Sequence, residues 1–307
     1  MRALPNFQIL KNKVDILISE GFRPSIYGYT LKRSNLARIH INILFGDFLK
    51  IISQNKAKKD LLIKAILREI YADIDLMLAN SSLTKQRIVT LLGINSSKVR
   101  VCWPILEHDF FNVIPNHIAN TKIVFQNKIK ICHLSRLRRT DGIALIPIIY
   151  QYLRNELNEN NFEFHIIGYG PMLPYLIRMK KKEAMKNLII WGYKSLDFIG
   201  SIYKSCTIFI YPAIMKSFGL PVIEAMSAGI IPVVTINTGA RDFVKLVDKS
   251  LVTKVDARAI ADVVLKLATE TPSVLAELGI KSKSIARRWS RHKAKEHLKN
   301  ILIEHFR

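Results

Sequence analysis

The sequence predicts an α/β protein of two facing Rossmann-like domains with a cleft between them. Three observations lead there. Short apolar runs alternate with amphipathic stretches long enough for helices, the pattern of parallel sheets covered on both faces. A polar, irregular stretch at 115–127 separates two such series. Gly- and Pro-bearing turns follow several of the apolar runs, where open α/β sheets carry their ligands. The expected boundaries are 1–114 for the first domain, 115–127 for a linker, 128–288 for the second domain and 289–307 for a last helix.

In the first series, Val14–Ser19 reads as a strand, and Ala37–Leu44 alternates as a second one. Asp47–Tyr71 reads as a helix, because Leu49, Ile52, Leu61, Leu62, Ala65, Ile66 and Ile70 recur at helical spacing. Leu76–Ala79 follows as a strand, Leu83–Leu92 as a helix closed by Gly93, and Val99–Trp103 as a strand. In the second series the strands are Ile129–Leu134, Phe162–Ile167, Leu188–Trp191, Cys206–Tyr211 and Ile230–Thr235. Helices are expected at Gly142–Leu157, from about Met172, at Leu196–Lys204, Pro221–Ala228 and Ala257–Thr269, and over Trp289–Ile303.

Composition narrows the function classes. With 307 residues the chain can bury two modest cores, and 49% hydrophobic content excludes a disordered chain. Its 47 Lys and Arg against 24 Asp and Glu give a net charge of +23, a field that attracts polyanions. Cys102, Cys132 and Cys206 each sit in an apolar run outside any C-x-x-C pair, as reduced buried thiols do. The N-terminus, M-R-A-L-P-N-F-Q, lacks the apolar core of a leader, and no uncharged apolar run reaches the ~20 residues that span a bilayer. A cytoplasmic protein, free or peripheral on the inner membrane face, is the expectation.

Lys216–Gly229, K-S-F-G-L-P-V-I-E-A-M-S-A-G, carries the most chemistry. Gly219 admits close approach of backbone to a ligand, and Pro221 suits a first helical turn. The turn delivers a helix N-terminus at the carboxyl end of a strand, a phosphate site, with Glu224 beside it. A carboxylate there can accept from two sugar hydroxyls. This stretch resembles the nucleotide-sugar signature of the group 1 (family four) retaining glycosyltransferases, E-x-F-G-L-P-x-x-E-A-M-A-x-G-x-P-V. Phe218, Gly219, Leu220, Pro221, Glu224, Ala225, Met226, Gly229, Pro232 and Val233 fit, whereas Lys216 replaces the first acid. The likeness is nearly continuous from Lys130 to about Leu267, through S-R-L-R-R-T-D-G at 135–142, I-I-G-Y-G-P at 166–171 and N-L-I-I-W-G-Y at 187–193. Residues 72–81 and 98–104 resemble the end of the family's first domain. The family's opening strand and Gly-rich loop have no counterpart, so that half is abbreviated or completed by a partner chain.

The resemblance implies the GT-B fold, with the last helix crossing back onto the first domain. It implies a nucleoside diphosphate sugar as donor, no cofactor, and catalysis with no covalent protein nucleophile. Arg136 falls at a diphosphate-binding position, which a guanidinium fork suits. Gly168 and Gly170 fall in a loop beside the nucleotide, and Trp191, Gly192 and Tyr193 where the base binds. Lys216, Ser217, Phe218, Gly219 and Leu220 line the phosphates, and Glu224 holds the ribose. His40 is a candidate beside the bond being broken, its alternative being a packed core histidine. Family members have a cation where this chain has Asp141 and an acid where it has Lys216. An exchange of the two charges within one pocket would keep diphosphate binding; drift after loss of activity would leave a non-catalytic GT-B-like scaffold. The acids of Asp73-Ile74-Asp75 read as structural, and no metal is expected. Ile285 and Trp289 among the cations of Lys281–Lys295 suit an anionic membrane surface carrying a lipid-linked acceptor. No nucleic-acid motif accompanies the charge.

Overall fold

β-Branched apolar runs supply the strands of two parallel sheets. The structure is a computed structural model and describes residues 13–44, 58–119 and 128–307, with side chains for all of these but 58–63. The N-terminal octet, residues 47–57 with Leu49 and Ile52, the side chains of Leu61 and Leu62, and 120–127 of the expected linker lie outside the described residues. Contacts divide the chain into Met1–Trp103 with His297–Arg307, and Pro104–Glu296.

In the first unit β1 (Val14–Glu20), β2 (Ala37–Leu44), β3 (Leu76–Ala79) and β4 (Val99–Val101) lie side by side in chain order, all parallel. Right-handed crossovers in one direction put α1 (Phe22–Arg33), α2 (Lys58–Asp73) and α3 (Ser82–Leu92) on one face. Leu67, Tyr71, Ile74, Ile88 and Leu92 bury that face against Leu44 and Met77. Ser81 Oγ accepts from the Thr84 amide to start α3, and Gly93 closes it in the left-handed region. The end of the last helix covers the other face: Ile301, with Leu298 and Leu302, packs on Ile41, Leu76, Leu78 and Cys102.

The second unit has a six-stranded parallel sheet in the order β10-β9-β8-β5-β6-β7. Its strands are β5 (Ile129–Leu134), β6 (Phe162–Ile167), β7 (Leu188–Gly192), β8 (Ile208–Tyr211), β9 (Ile231–Thr235) and β10 (Val252–Thr253). The chain enters at β5, runs outward to β7, then returns to β8 on the other side of β5 and runs outward again. The loops after β5 and β8 therefore flank the switch point, where doubly wound sheets open a crevice. Helices α5 (Ile146–Leu157), α6 (Leu173–Lys182) and α10 (Ala257–Ala268) cover one face. On the other lie α7 (Leu196–Ser205), α8 (Leu220–Ser227), α9 (Arg241–Val247) and α11 (Pro272–Ala286). A short α4 (Asn116–Ala119) stands within the expected linker, and α12 (Arg291–Phe306) ends the chain.

The differences from expectation have local causes. The helix expected from Gly142 starts as a 3₁₀ turn at Ile143–Leu145 and becomes α-helical at Ile146, one residue before Pro147. Residues 104–114, assigned from sequence to the first domain, group with the second. Phe110 explains it: its amide donates to Ser227 Oγ at 2.8 Å and its ring meets Tyr203 edge-on. Trp289 is buried against Phe243, with ring centroids 3.6 Å apart, and Ile285 is buried too. The expectation that they face a membrane among the cations is thereby corrected. The three cysteines are free and buried.

Candidate functional site

The loop after β8 is held in place by the loop after β9. Lys216 forms a parallel bridge with Thr238, and its amide donates to the Asn237 carbonyl at 2.9 Å. The Phe218 carbonyl accepts from Thr238 Oγ1 at 2.6 Å and from the Ala240 amide at 2.8 Å. The Phe218 ring is buried edge-on against Phe243. Gly219, at φ +108°, then turns the chain into α8; a Cβ there would stand 2.9 Å from Thr238 Oγ1. This geometry presents the first amides of α8, which no helical carbonyl can accept from, at the switch point.

Glu224 lies one turn into α8 and is half-buried. Among the described residues nothing donates to its carboxylate. Burial, and then the charge of Glu107, push its carboxyl up to about 7.

The loop after β5 supplies the opposite wall. Leu137, at φ +42°, is fully buried and pins the loop, so that the neighbouring Arg136 side chain is turned out to solvent. His133 is buried beneath it, its Nε2 2.8 Å from Ser135 Oγ, which also accepts from the Leu137 amide at 3.1 Å. Burial lowers the pKa of His133, which favours the neutral ring.

Asp141 is only 1% exposed. Its Oδ1 accepts from Lys216 Nζ at 2.9 Å and from the Tyr211 hydroxyl at 3.2 Å. Its Oδ2 is buried and has no hydrogen-bond partner among the described residues. The two positions whose charges depart from the family pattern thus form one ion pair between the β5 and β8 loops.

The loop after β6 lies on the β5 loop. A Cβ at Gly170 would overlap the Arg136 carbonyl oxygen, and the Met172 amide donates to the Leu137 carbonyl at 2.9 Å. The Gly168 amide donates to the Gly192 carbonyl at 2.8 Å, which joins this loop to the end of β7. Tyr193 is 84% exposed there. The side chain of Trp191 is committed to packing: its indole N–H donates to His165 Nδ1 at 3.1 Å and its ring meets Phe198 edge-on.

His40 needs correction as a candidate. It is fully buried in the first unit, with Nε2 2.7 Å from Ser19 Oγ and the ring pressed on Gly28, where any Cβ would overlap it. Burial lowers its pKa. In this setting it packs β2 against α1. Asp73 and Asp75 are engaged by Arg33 and Lys32, at 3.2 and 2.7 Å. Sequence reasoning missed Tyr211, Thr238, His133, Ser135 and Glu107. Tyr211 carried a signal, as the last residue of the strand before the signature, and Ser135 another, as the first residue of the motif at 135–142.

Comparison with known proteins agrees in kind. The family model for group 1 glycosyl transferases matches residues 118–283. An uncharacterized glycosyltransferase of Methanocaldococcus jannaschii is 24% identical over 169 residues, which are 52% of this chain and 42% of that protein. The match therefore spans less than half of that relative's length. Among solved structures, sucrose-phosphate synthase from Thermosynechococcus elongatus superposes with a TM-score of 0.73 at 12% identity, over 95% of this chain and 73% of that one. Anabaena HepE, solved with UDP and glucose, superposes with a TM-score of 0.72 at 16% identity, over 94% of this chain and 77% of that one. The fold is that of the GT-B glycosyltransferases.

Proposed function

The chain belongs to the group 1 glycosyl transferases, and from that membership we propose that it moves a sugar from a nucleoside diphosphate sugar to an acceptor hydroxyl with retention of the anomeric configuration. The observation that carries the reading is the turn from Lys216 to Leu220 onto α8, with the Glu224 carboxylate half-buried and without a donor among the described residues. In this reading the amides of Gly219 and Leu220 and the Arg136 guanidinium hold the diphosphate. They stabilise charge as the glycosidic bond breaks, because preorganised donors act most strongly on charge that develops in the transition state. Glu224 accepts from the ribose hydroxyls. The exposed Tyr193 and the backbone at Gly192 border the base. Lys216 adds its charge beside the diphosphate while Asp141 fixes its direction. No covalent nucleophile is required, and His40 has no part. The acceptor is a lipid-linked sugar at a membrane face, which gives the net charge of +23 a purpose.

Retention is tested by ¹H NMR of the product: an α-linked product from an α-linked donor supports it, and a β-linked product overturns it. A second reading has one specific observation in its favour. The charge of Lys216 is already paired with Asp141, so a scaffold that binds no donor would show the same pair. Saturation-transfer NMR against a panel of nucleotide sugars separates the two, since only the enzyme reading expects transfer to a ligand.

A further inference from the structure

Residues 104–119 lie along the second unit and are fastened to it at several points. The Phe110 amide and ring engage Ser227 and Tyr203. The Val113 carbonyl accepts from Lys283 Nζ on α11 at 2.9 Å. Beyond it, α4 seats His117 and Ile118 in a notch floored by Gly229 and Gly279. A Cβ on Gly229 would stand 2.8 Å from Ile118 Cδ1, and one on Gly279 would stand 2.7 Å from His117 Nε2 and 3.0 Å from Ile118 Cδ1. The missing side chains leave the space that the short helix fills. Ahead of the notch the fit is loose: Glu107, His108 and Asp109 are exposed and border a cleft of about 510 Å³ against α7.

His117 is 1% exposed, and neither ring nitrogen has a hydrogen-bond partner among the described residues. A buried imidazole in that state is held neutral, since a charge there would have neither water nor a counterion. Burial takes its pKa down to about 4, partly offset by the Gly229 backbone. The elements packed around α4 supply no carboxylate to the ring. α11 carries Lys283, already bonded to Val113, and the exposed Glu277 and Lys281. α7 carries the exposed Asp197 and Lys204 and the buried Tyr203. The turn at 228–230 has no charge, and the one acid of α8 before it is Glu224.

We infer that His117 is an acid-opened latch: proton uptake by the ring expels it from the Gly229–Gly279 notch and frees residues 104–119 while the six-stranded sheet stays folded. The sign follows from linkage. Seated, the ring titrates at about 4; released, at the ordinary 6.5. Seating is therefore complete above pH 6.5 and is lost as pH falls toward 4, below which the seated form is protonated too. Between pH 7.5 and pH 5 the opening constant rises about thirtyfold. Glu107 travels with the segment, so opening withdraws the charge that acts on Glu224. The latch needs no donor and stands whether or not the chain binds a nucleotide sugar.

The test is hydrogen–deuterium exchange of the full chain from pH 7.5 to pH 5, corrected at each pH for the intrinsic exchange rate. The reporters are the amides of Val113, Ile118 and Ala119, which donate to the Phe110 and Pro115 carbonyls. The amides of Ile131 and Cys132 in β5 are the reference. In wild type the opening constant at the reporters should rise about thirtyfold over this range, while β5 exchanges far more slowly at every pH. His117→Phe and His117→Asn should flatten the reporter profile to within about threefold, and His108→Gln should leave it as in wild type. A proton NMR titration of the wild-type ring needs no variant: His117 should stay neutral at pH 5. The latch is overturned if the reporters ignore pH, if they open only together with β5, if folded His117 variants keep the wild-type profile, or if the His117 ring of the folded protein titrates near 6.5.

Discussion

Removing one partner of the Asp141–Lys216 pair should be among the most damaging single changes in the second unit. The carboxylate is 2% exposed and the ammonium 19%, at 2.9 Å. At an effective dielectric of about 20, two unit charges at that distance attract by about 6 kcal/mol. Desolvation offsets much of this, so the net value of the pair is small, but breaking it strands a buried charge at a cost of about 3–5 kcal/mol. Asp141→Asn and Lys216→Met should each lower urea-unfolding stability by that order. The double change should cost less than the sum, leaving a coupling of about 2–3 kcal/mol. Donor affinity gives the second half of the test. If the charges have exchanged sides within a working pocket, Asp141→Lys and Lys216→Glu each weaken nucleotide-sugar binding, and together they recover part of it, with a coupling of about 1 kcal/mol or more. Additive stability losses would refute the ion pair. Coupled stability with donor affinity unmoved by either reversal would leave the pair structural and favour the scaffold.

Further predictions concern single side chains. Because the Glu224 carboxyl sits at about 7, affinity for a nucleotide sugar should fall about tenfold from pH 8 to pH 6 as the acceptor is protonated, and Glu224→Gln should flatten that profile in calorimetry. The same shift acts on stability with the opposite sense. The folded state holds the proton more tightly than the unfolded chain between the ordinary 4.5 and about 7, so stability from this group falls as pH rises through that window, by at most about 3 kcal/mol. Glu224→Gln should therefore raise the melting temperature of the ligand-free protein at pH 8 and change it little at pH 4. Gly219→Ala forces a Cβ to 2.9 Å from Thr238 Oγ1 at φ +108°; a strain of about 1–3 kcal/mol and loss of nucleotide-sugar binding should show in melts and calorimetry. Ile301→Ala should destabilise the first unit by about 2–4 kcal/mol in urea unfolding, since Ile301 is buried on Ile41 and Leu78.

The sequence was legible wherever one requirement dominated a segment. Strands at 76–79, 129–134 and 162–167 have the bounds read from apolar runs, because a strand covered on both faces tolerates little else, and 37–44 has the bounds read from its alternation. Elements that answer to a distant partner were not legible. Phe22–Arg33 has Pro24 in its first turn and Gly28 mid-helix, both poor helix signals, and Gly28 is there to admit the His40 ring. Pro272–Ala286 contains Gly279, whose Cβ would stand 2.6 Å from the Gly229 carbonyl, so a close helix crossing has replaced helix propensity. The basic run 281–295 gave no sign that Ile285 and Trp289 turn inward, since charge pattern reports the outer face of a helix and not what lies beneath it. In the site, the signature at 216–224 carried its own geometry. The contact between Asp141 and Lys216 spans seventy-five positions, and only the folding of two loops onto one switch point brings them together.

The most direct test of the account is calorimetry of wild type and Glu224→Ala with a panel of uridine, guanosine and adenosine diphosphate sugars. The account predicts that one of them binds the wild type and that the variant, still folded, binds it more weakly by about 1.5–3 kcal/mol, the value of hydrogen bonds to a charged acceptor. Equal affinity in the two proteins, or no binding of any of these sugars to folded wild type, would contradict it.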